Sequence, residues 1–459
     1  MNRLPPEVLA SCATFVSDTD PRPIVTLTHV CRYWRRSISS NPRNWAAIAT
    51  EWKGLVPLCL ERAGAVPITV DITVSEVKGD TSFLDPLLSH VARVSHLSLT
   101  GYLSIEAVAN DLPCLSAFPM PNLSSLELQQ TEEPAELFPS SQAPLPPVFQ
   151  NVSKLESLRL TRTPLYSALF SITSLRELRL TGYTSLFHFE EFVEFLASNL
   201  KLEIAALDVR FVEGSVRTLP GRMVALTRLR HLSITCTEPI DAKGLLSRIT
   251  LSRGVHLEVT SIGTDQPRLD SFLPSPPTPI QRALYPITAI RFQYNPMGLR
   301  ASGSNGSFSF RSSHPTSRRP EIYLFPAASV REFHVNMTPW PLFPAFLPWL
   351  LPQLPGLETL VITHCASFLT AAFDSLVGQP LLCPSLKTVA FFNCTLTPEA
   401  MVEFGDVMAK RKGSGAAWLH RVVIVSSTGP LPDYASVQRL RQHVPHVDVR
   451  VDDKLPDLP

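Results

Sequence analysis

The sequence lacks the usual marks of a nucleic-acid, metal or membrane protein. Its 41 Lys and Arg are balanced by 40 Asp and Glu, so a formal charge of +1 leaves no global field to attract nucleic acid or an anionic membrane. The eight cysteines form no C-x-x-C pair, which points to reduced thiols inside a cell. None of the twelve histidines stands at metal-ligand spacing from a cysteine or carboxylate, so neither a metal nor a cofactor is expected. There is no P-loop, no G-x-G-x-x-G, no H-E-x-x-H and no G-x-S-x-G, so no enzyme is expected. His364 and Cys365 are adjacent, but neighbours on a strand point to opposite faces and make no base–nucleophile pair. Residues 339–354 (PWPLFPAFLPWLLPQL) form the most apolar stretch. It is too short and too interrupted by proline to cross a bilayer as a helix, and reads as a buried linker. No apolar h-region follows Arg3, so no secretory signal is read, and the N-x-S/T sequons at Asn122, Asn151, Asn305, Asn336 and Asn393 are taken as chance. The expectation is a soluble intracellular protein, cytoplasmic or nuclear. Lys410-Arg411-Lys412 reads as the basic end of a helix and not as a nuclear signal.

What is present in excess is proline: 43 against 19 glycines, near double the usual ~5%. Helical bundles and large doubly wound sheets exclude proline from their element interiors, whereas many short elements joined by rigid turns tolerate it. A repeat of that kind is visible. The form L-x-x-L-x-L occurs at Val94/Leu97/Leu99, Leu123/Leu126/Leu128, Leu155/Leu158/Leu160, Leu175/Leu178/Leu180, Ile204/Leu207/Val209 and Leu229/Leu232/Ile234. It continues at Ile287/Ile290/Phe292, Val330/Phe333/Val335, Leu357/Leu360/Ile362, Leu386/Val389/Phe391, Leu419/Val422/Ile424 and Val444/Val447/Val449. One interval, 58 residues, is twice 29, and a degenerate copy at Leu257/Val259 stands where it is needed. Two copies carry cysteine three places past the last apolar residue, Cys365 and Cys394, the N/C slot of a leucine-rich repeat. The last two apolar positions are two residues apart and point to one side of a short strand, and stacked copies bury each other's strands. Helices are expected over 398–412, with Thr397 as N-cap, and over 432–443, and the run 192–196 is apolar at helical spacing. Two stretches rich in Pro, Ser, Gly and Asn, 261–286 and 295–328, interrupt the array as functional loops or solvated decoration.

The first fifty residues differ. Val8, Leu9, Cys12, Phe15 and Val16 make one helical stripe; Ile24, Leu27, Val30, Cys31 and Trp34 make a second; Trp45 and Ile48 make a third. So small a helical domain needs a partner or a neighbour to complete its core. L-P-x-E-V-L at Leu4-Pro5-Glu7-Val8-Leu9, V-C-R-x-W-R at Val30-Cys31-Arg32-Trp34-Arg35 and P-x-x-W at Pro42-Trp45 together resemble the F-box motif. Residues 58–63 before the run 66–70 are similar to the linker helix of fungal F-box proteins with divergent leucine-rich repeats. The longer, proline-rich loop from Ser17 to Pro23 departs from the common pattern.

The resemblance implies an α/β protein: a small all-α F-box over 1–50, a linker helix over 51–66, and over 67–452 an irregular leucine-rich repeat solenoid, a horseshoe of parallel strands. It also implies the substrate-recognition subunit of an SCF-type cullin–RING ubiquitin ligase. The F-box would bind a Skp-type adaptor, and through it a cullin, while the repeats hold a protein client. Leu4, Pro5, Leu9, Leu27, Val30, Cys31 and Trp34 are the expected adaptor-facing set, each also able to serve packing within the F-box. An F-box scaffold acting outside ubiquitination is the alternative. An extracellular recognition protein is disfavoured, since paired cysteine caps are absent. Arg159 and Arg179, each between two strand leucines, are candidates to meet phosphate on the repeat face, with solvation the plainer expectation.

Overall fold

The computed structural model describes residues 4–17, 22–74, 84–101, 120–131, 152–163, 167–182, 186–212, 214–216, 221–262, 269–274, 287–293, 297–303, 306–312, 327–336, 349–364, 383–413, 418–426 and 432–451. The chain packs as two compact units, residues 1–217 with 224–229, and residues 218–223 with 230–459.

The first unit opens with helices α1 (Pro6–Ser17), α2 (Arg22–Thr28) and α3 (Arg32–Ser39). The stripe from Ile24 to Trp34, expected as one helix, is two. Thr28 Oγ1 folds back onto the Val25 carbonyl at 2.7 Å, and Arg35 Nε takes the Thr28 carbonyl at 2.9 Å. Cys31 then restarts the helix as an extended N-cap, its sulfur accepting from the Trp34 N–H at 3.5 Å. Trp45 and Ile48 make no third helical stripe either. Trp45 ends a single 3-10 turn (Pro42–Trp45), and Ile48 lies in strand β1 (Ala47–Ala49). After α4 (Val56–Ala63), which buries Val56, Cys59, Leu60 and Ala63, Gly64 turns the chain at φ +54° into β2 (Ile68–Thr73). Arg22 and Pro23, expected in the loop, already belong to α2, and residues 18–21 lie outside the described residues.

The leucine courses follow as β3 (Val94–Gly101), β4 (Ser125–Gln130), β5 (Ser157–Thr161) and β6 (Glu177–Thr181). Helix α5 (Phe189–Ser198) then leads to β7 (Ile204–Asp208). These strands pair in parallel in chain order from β1 to β7. Ile48, Val70, Leu97, Leu126, Leu158, Leu178 and Ala205 fall in one row, all buried. Each full leucine so placed is worth roughly 1.5–3 kcal/mol. The courses also hang on one another through the backbone. Glu156 and Ser157 N–H both donate to the Ser124 carbonyl (2.8 and 2.9 Å), and Arg176 and Glu177 N–H to that of Glu156 (2.7 and 2.9 Å).

The copy at β7 is offset by two residues from the expected frame. Leu178 faces Ala205 and Leu180 faces Leu207, so its apolar triplet is Leu202/Ala205/Leu207, and Ile204 is half-exposed. Both frames satisfy L-x-x-L-x-L. The choice is made by Asn199, buried at the end of α5, whose carbonyl accepts the Leu202 N–H at 3.1 Å and whose Oδ1 accepts the Leu175 N–H at 3.0 Å.

The second unit contains β8 (His231–Cys236), α6 (Pro239–Arg248), β9 (Val255–Ser261), β10 (Ile287–Gln293), β11 (Met297–Gly303) and β12 (Gly306–Ser312). It continues with β13 (Glu332–Asn336), β14 (Thr359–Thr363), β15 (Thr388–Phe392), α7 (Pro398–Gly413), β16 (Arg421–Ser426), α8 (Tyr434–Arg441) and β17 (His446–Val451). The degenerate copy is real: Leu232 faces Leu257 and Ile234 faces Val259. Thr397 caps α7, its hydroxyl accepting the Ala400 N–H at 3.2 Å, and Asp433 caps α8 at 2.9 Å from the Ser436 N–H. Of the stretch expected to be a buried linker, Leu350, Leu351 and Leu354 are buried, and 337–348 lie outside the described residues.

The stretch 295–328, expected as loop or decoration, contributes two strands. The spatial order is β9–β12–β11–β10–β13, with β11 antiparallel to both neighbours and the other pairings parallel. Gly303 pairs with Gly306, so only two residues, Ser304 and Asn305, separate β11 from β12, a length suited to a tight hairpin turn. From β13 to β17 the pairings are parallel and in chain order.

Just past several strands the chain turns left-handed, at Arg162 (φ 54°), Gly182 (φ 63°), His364 (φ 55°) and Asn393 (φ 52°). The turn lets the His364 N–H reach the Phe392 carbonyl in the next course at 2.8 Å. A Cβ is strained there, so His364→Gly is expected to raise stability by up to about 1 kcal/mol. Leu360→Ala, in the buried row of β14, is expected to cost about 2–5 kcal/mol. Urea denaturation midpoints of the two variants check both signs.

Candidate functional site

Three surfaces compete for function. The first is the helical start of the chain. Leu4 (46% exposed), Val8 (45%), Phe15 (83%) and Val30 (53%) are four of the large apolar side chains left in solvent among the described residues. Leu4, Val8 and Phe15 recur at helical spacing, while Leu9 and Ala13 on the other side of α1 are buried. A short helix apolar on two sides has more to bury than its own unit covers. Of the expected adaptor-facing residues, Leu4, Pro5 and Val30 are exposed, and Leu27, Cys31 and Trp34 are half-buried. Leu9 belongs to the helical core, at 3% exposure, and Cys31 spends its sulfur on the α3 cap. Phe15, at 83% the most exposed of the large apolar side chains described, belongs to the first helical stripe but not to the expected adaptor-facing set; its spacing from Leu4 and Val8 is the signal that would have added it. Tyr33 holds the chain start in place, its hydroxyl donating to the Leu4 carbonyl at 2.7 Å.

The second surface is the outward face of the first unit's sheet, opposite the leucine rows. Arg159 and Arg179 stand there, but neither is free for phosphate and neither is merely solvated. Arg159 Nη2 lies 3.0 Å from Glu177 Oε1 and 3.3 Å from Oε2, Arg179 Nε lies 2.5 Å from Oε1, and Glu127 approaches Arg159 at 3.9 Å. Burial pushes the Glu177 carboxyl up, but hydrogen bonds from Arg179 and Arg159 outweigh it and hold the group below the usual carboxylate range. A second rank of alternating charge, Glu156–Arg176–Glu203, runs along the strand entries at 3.5 and 3.3 Å.

The third surface is the outward face of β14 to β16. Here alternation fails: Val361, Ala390, Phe392 and Val425 are buried and pack together with Val423, although their neighbours Leu360 and Ile362 fill the opposite side. Strands buried on both faces read as continuous apolar runs, as T-L-V-I-T, T-V-A-F-F and V-V-I-V do here. This face is already occupied by a core of its own.

The remaining chemistry is structural. Burial pushes the Cys59 thiol up to about 11 and the Cys383 thiol up to about 12, so both are inert at neutral pH. Cys394 sits in the repeat slot, its Sγ donating to the Ile362 carbonyl of the preceding course at 3.5 Å. Thr163, which sequence reading passed over, fills the same slot two courses into the first unit's leucine array and donates to the Leu128 carbonyl at 3.2 Å. Cys365 lies outside the described residues. Arg411 is buried and donates to the Cys383 carbonyl, and Lys412 lies over the Trp418 ring at 4.3 Å. Among the described residues no group of three or more His, Cys, Asp or Glu could hold a metal, and no helix is long and apolar enough to cross a membrane.

No family model matches the chain, and no curated protein sequence does. Among solved structures the chain is similar to the crystal structure of a TLR13–ssRNA13 complex, at 12% identity and a TM-score of 0.31. The overlap covers 78% of this chain and 50% of that one. What defines the repeat array here is its own strand register.

The Glu177 ladder yields a pH dependence. A carboxyl held below its unfolded value stabilises the fold above that value, and the contribution is lost as pH falls through the depressed folded pKa. Acid unfolding is therefore expected to steepen below the ordinary carboxylate range, and Glu177→Gln should flatten that limb, by at most about 1 kcal/mol given solvent screening. Denaturant melts across acid pH measure it.

Proposed function

We propose that the chain is the substrate-recognition subunit of an SCF-type cullin–RING ubiquitin ligase. In this reading the N-terminal helices are an F-box that docks a Skp-type adaptor, and the repeat array holds a protein client. The observation that carries it is the set of exposed apolar side chains in the helical segment: Val8 and Phe15 on α1, whose Leu9 and Ala13 are buried, Leu4 just before it, and Val30 in the turn between α2 and α3. Leu4, Val8 and Val30 are also among the residues that resemble the F-box motif.

A second observation supports the pairing of roles. The helical segment runs directly into β1, and Ile48 stands in the same row as the strand leucines. Whatever α1 to α3 bind is therefore fixed in orientation to the first courses of the array, as delivery of a held client to a bound ligase requires. Of the two outward sheet faces, that of the first unit is polar and partly exposed, and it is the one assigned to the client.

Leu4→Ala combined with Phe15→Asp is expected to reduce co-purification of the adaptor about 30-fold or more, the loss of an interface anchor worth ~2 kcal/mol. The urea midpoint should be unchanged, because neither side chain is in the core. Undiminished recovery of the adaptor by the folded double variant would sink the assignment. Recovery of adaptor without cullin would favour a scaffold acting outside ubiquitination.

A further inference from the structure

The client face carries charge of a particular sign. On β2 to β7 the outward positions hold four carboxylates, Asp71, Glu127, Glu177 and Asp208, against two guanidiniums, Arg159 and Arg179. The whole chain is close to neutral at +1, so this face departs from the average. Both guanidiniums are turned along the sheet onto Glu177, whose side chain is only 17% exposed. An incoming phosphate would have to break those pairs and leave a half-buried carboxylate unmatched. His96 adds no positive charge at neutral pH: burial holds its imidazole below the usual range, and the pull of Glu127 does not reverse this.

The other end of the face is open to a cation. Asp71 faces Ser98, and Ser98 faces Glu127, in one row across β2, β3 and β4. Adjacent strands lie ~4.8 Å apart, so the two carboxylates flank Ser98 at a separation of roughly 10 Å. An ammonium or guanidinium placed over Ser98 meets one carboxylate on each side. Asp71 is exposed, and Glu127 has only the long 3.9 Å approach to Arg159, so neither is consumed as Glu177 is.

We infer that the outward sheet face of the first unit docks an extended client segment that is basic and unphosphorylated, with a lysine or arginine seated over Ser98 between Asp71 and Glu127. This rests on the assignment of that face to the client. It selects against phosphopeptides by prior commitment of the arginines, and against nucleic acid by the sign of its charge.

The test uses the full chain and two fluorescein-labelled probes, a short peptide of alternating lysine and serine and one of alternating phosphoserine and glycine. The lysine peptide is expected to bind, with affinity falling as salt rises, and the phosphoserine peptide is expected not to bind. Asp71→Asn with Glu127→Gln should weaken the lysine peptide at least about tenfold. Ser98→Lys, which supplies the cation from within, should do the same. Glu399→Gln with Asp406→Asn, which removes as much charge from α7, should leave it unchanged. Equal loss in that control would reduce the effect to bulk attraction and overturn the inference, as would tighter binding of the phosphoserine peptide or an unchanged Asp71/Glu127 variant. Adaptor co-purification is read on the same proteins. Its failure with peptide binding intact would defeat the ligase assignment alone.

Discussion

Each leucine-bearing strand of the first unit must keep register with the one before it, because its apolar side chains alternate and a slip of one residue would turn them all into solvent. The backbone supports the register at six strand entries in the two units, where two consecutive N–H groups converge on a single carbonyl of the preceding course. Ser124, Glu156 and Arg176 supply that carbonyl in the first unit, and Arg331, Glu358 and Lys387 do so in the second. Side chains at those same positions alternate in charge, so Arg331, Glu358 and Lys387 also form ion pairs, at 3.6 and 2.8 Å. Exposed pairs of this kind contribute little stability singly. Their effect is to make the correct neighbour electrostatically preferred, adding to what the leucine rows require.

With the core rows fixed, function is left to the faces they do not use. The two units treat those faces in opposite ways. In β3 to β6 the residues between leucines are Ser, Glu and Arg, and the sheet presents a partly exposed polar surface. In β14 to β16 the same positions are Val and Ala, with Phe392 and Val425 beside them, and the surface is consumed by packing. A repeat that looks uniform when its leucines are counted thus divides into a part whose outward face is polar and partly exposed and a part whose outward face is packed.

Much of this was legible in the residues. The leucine rows, the hidden copy at Leu257 and the cap at Thr397 follow from spacing and from the chemistry of helix ends. What escaped shares a cause: local pattern admitted two answers and a distant partner chose between them. Ile204 and Leu202 both fit the triplet until Asn199 claims the Leu202 N–H. Ile48 suits a helical stripe until Val70 offers a strand to pair with. Arg159 and Arg179 looked available because nothing in a strand's own sequence announces that Glu177, on the neighbouring course for one of them, will hold both. Phe15 stands apart from the expected adaptor-facing set for a simpler reason: that set follows the motif residues, and Phe15 lies outside the motif while sharing the exposed side of α1 with Val8.

The β11–β12 hairpin lies between two strands that run the same way. β9 and β10 share a direction, and the hairpin that follows β10 in the chain fills the space between them as one strand down and one strand up, with Leu299 and Ala301 buried in the shared rows. β12 continues the direction of β9 and β10, and only β11 runs against its neighbours. The reversal stays local, because β13 pairs with β10 and not with the hairpin. The courses after it therefore take their direction from β10, and the hairpin is a side branch of the array that its later strands do not build upon.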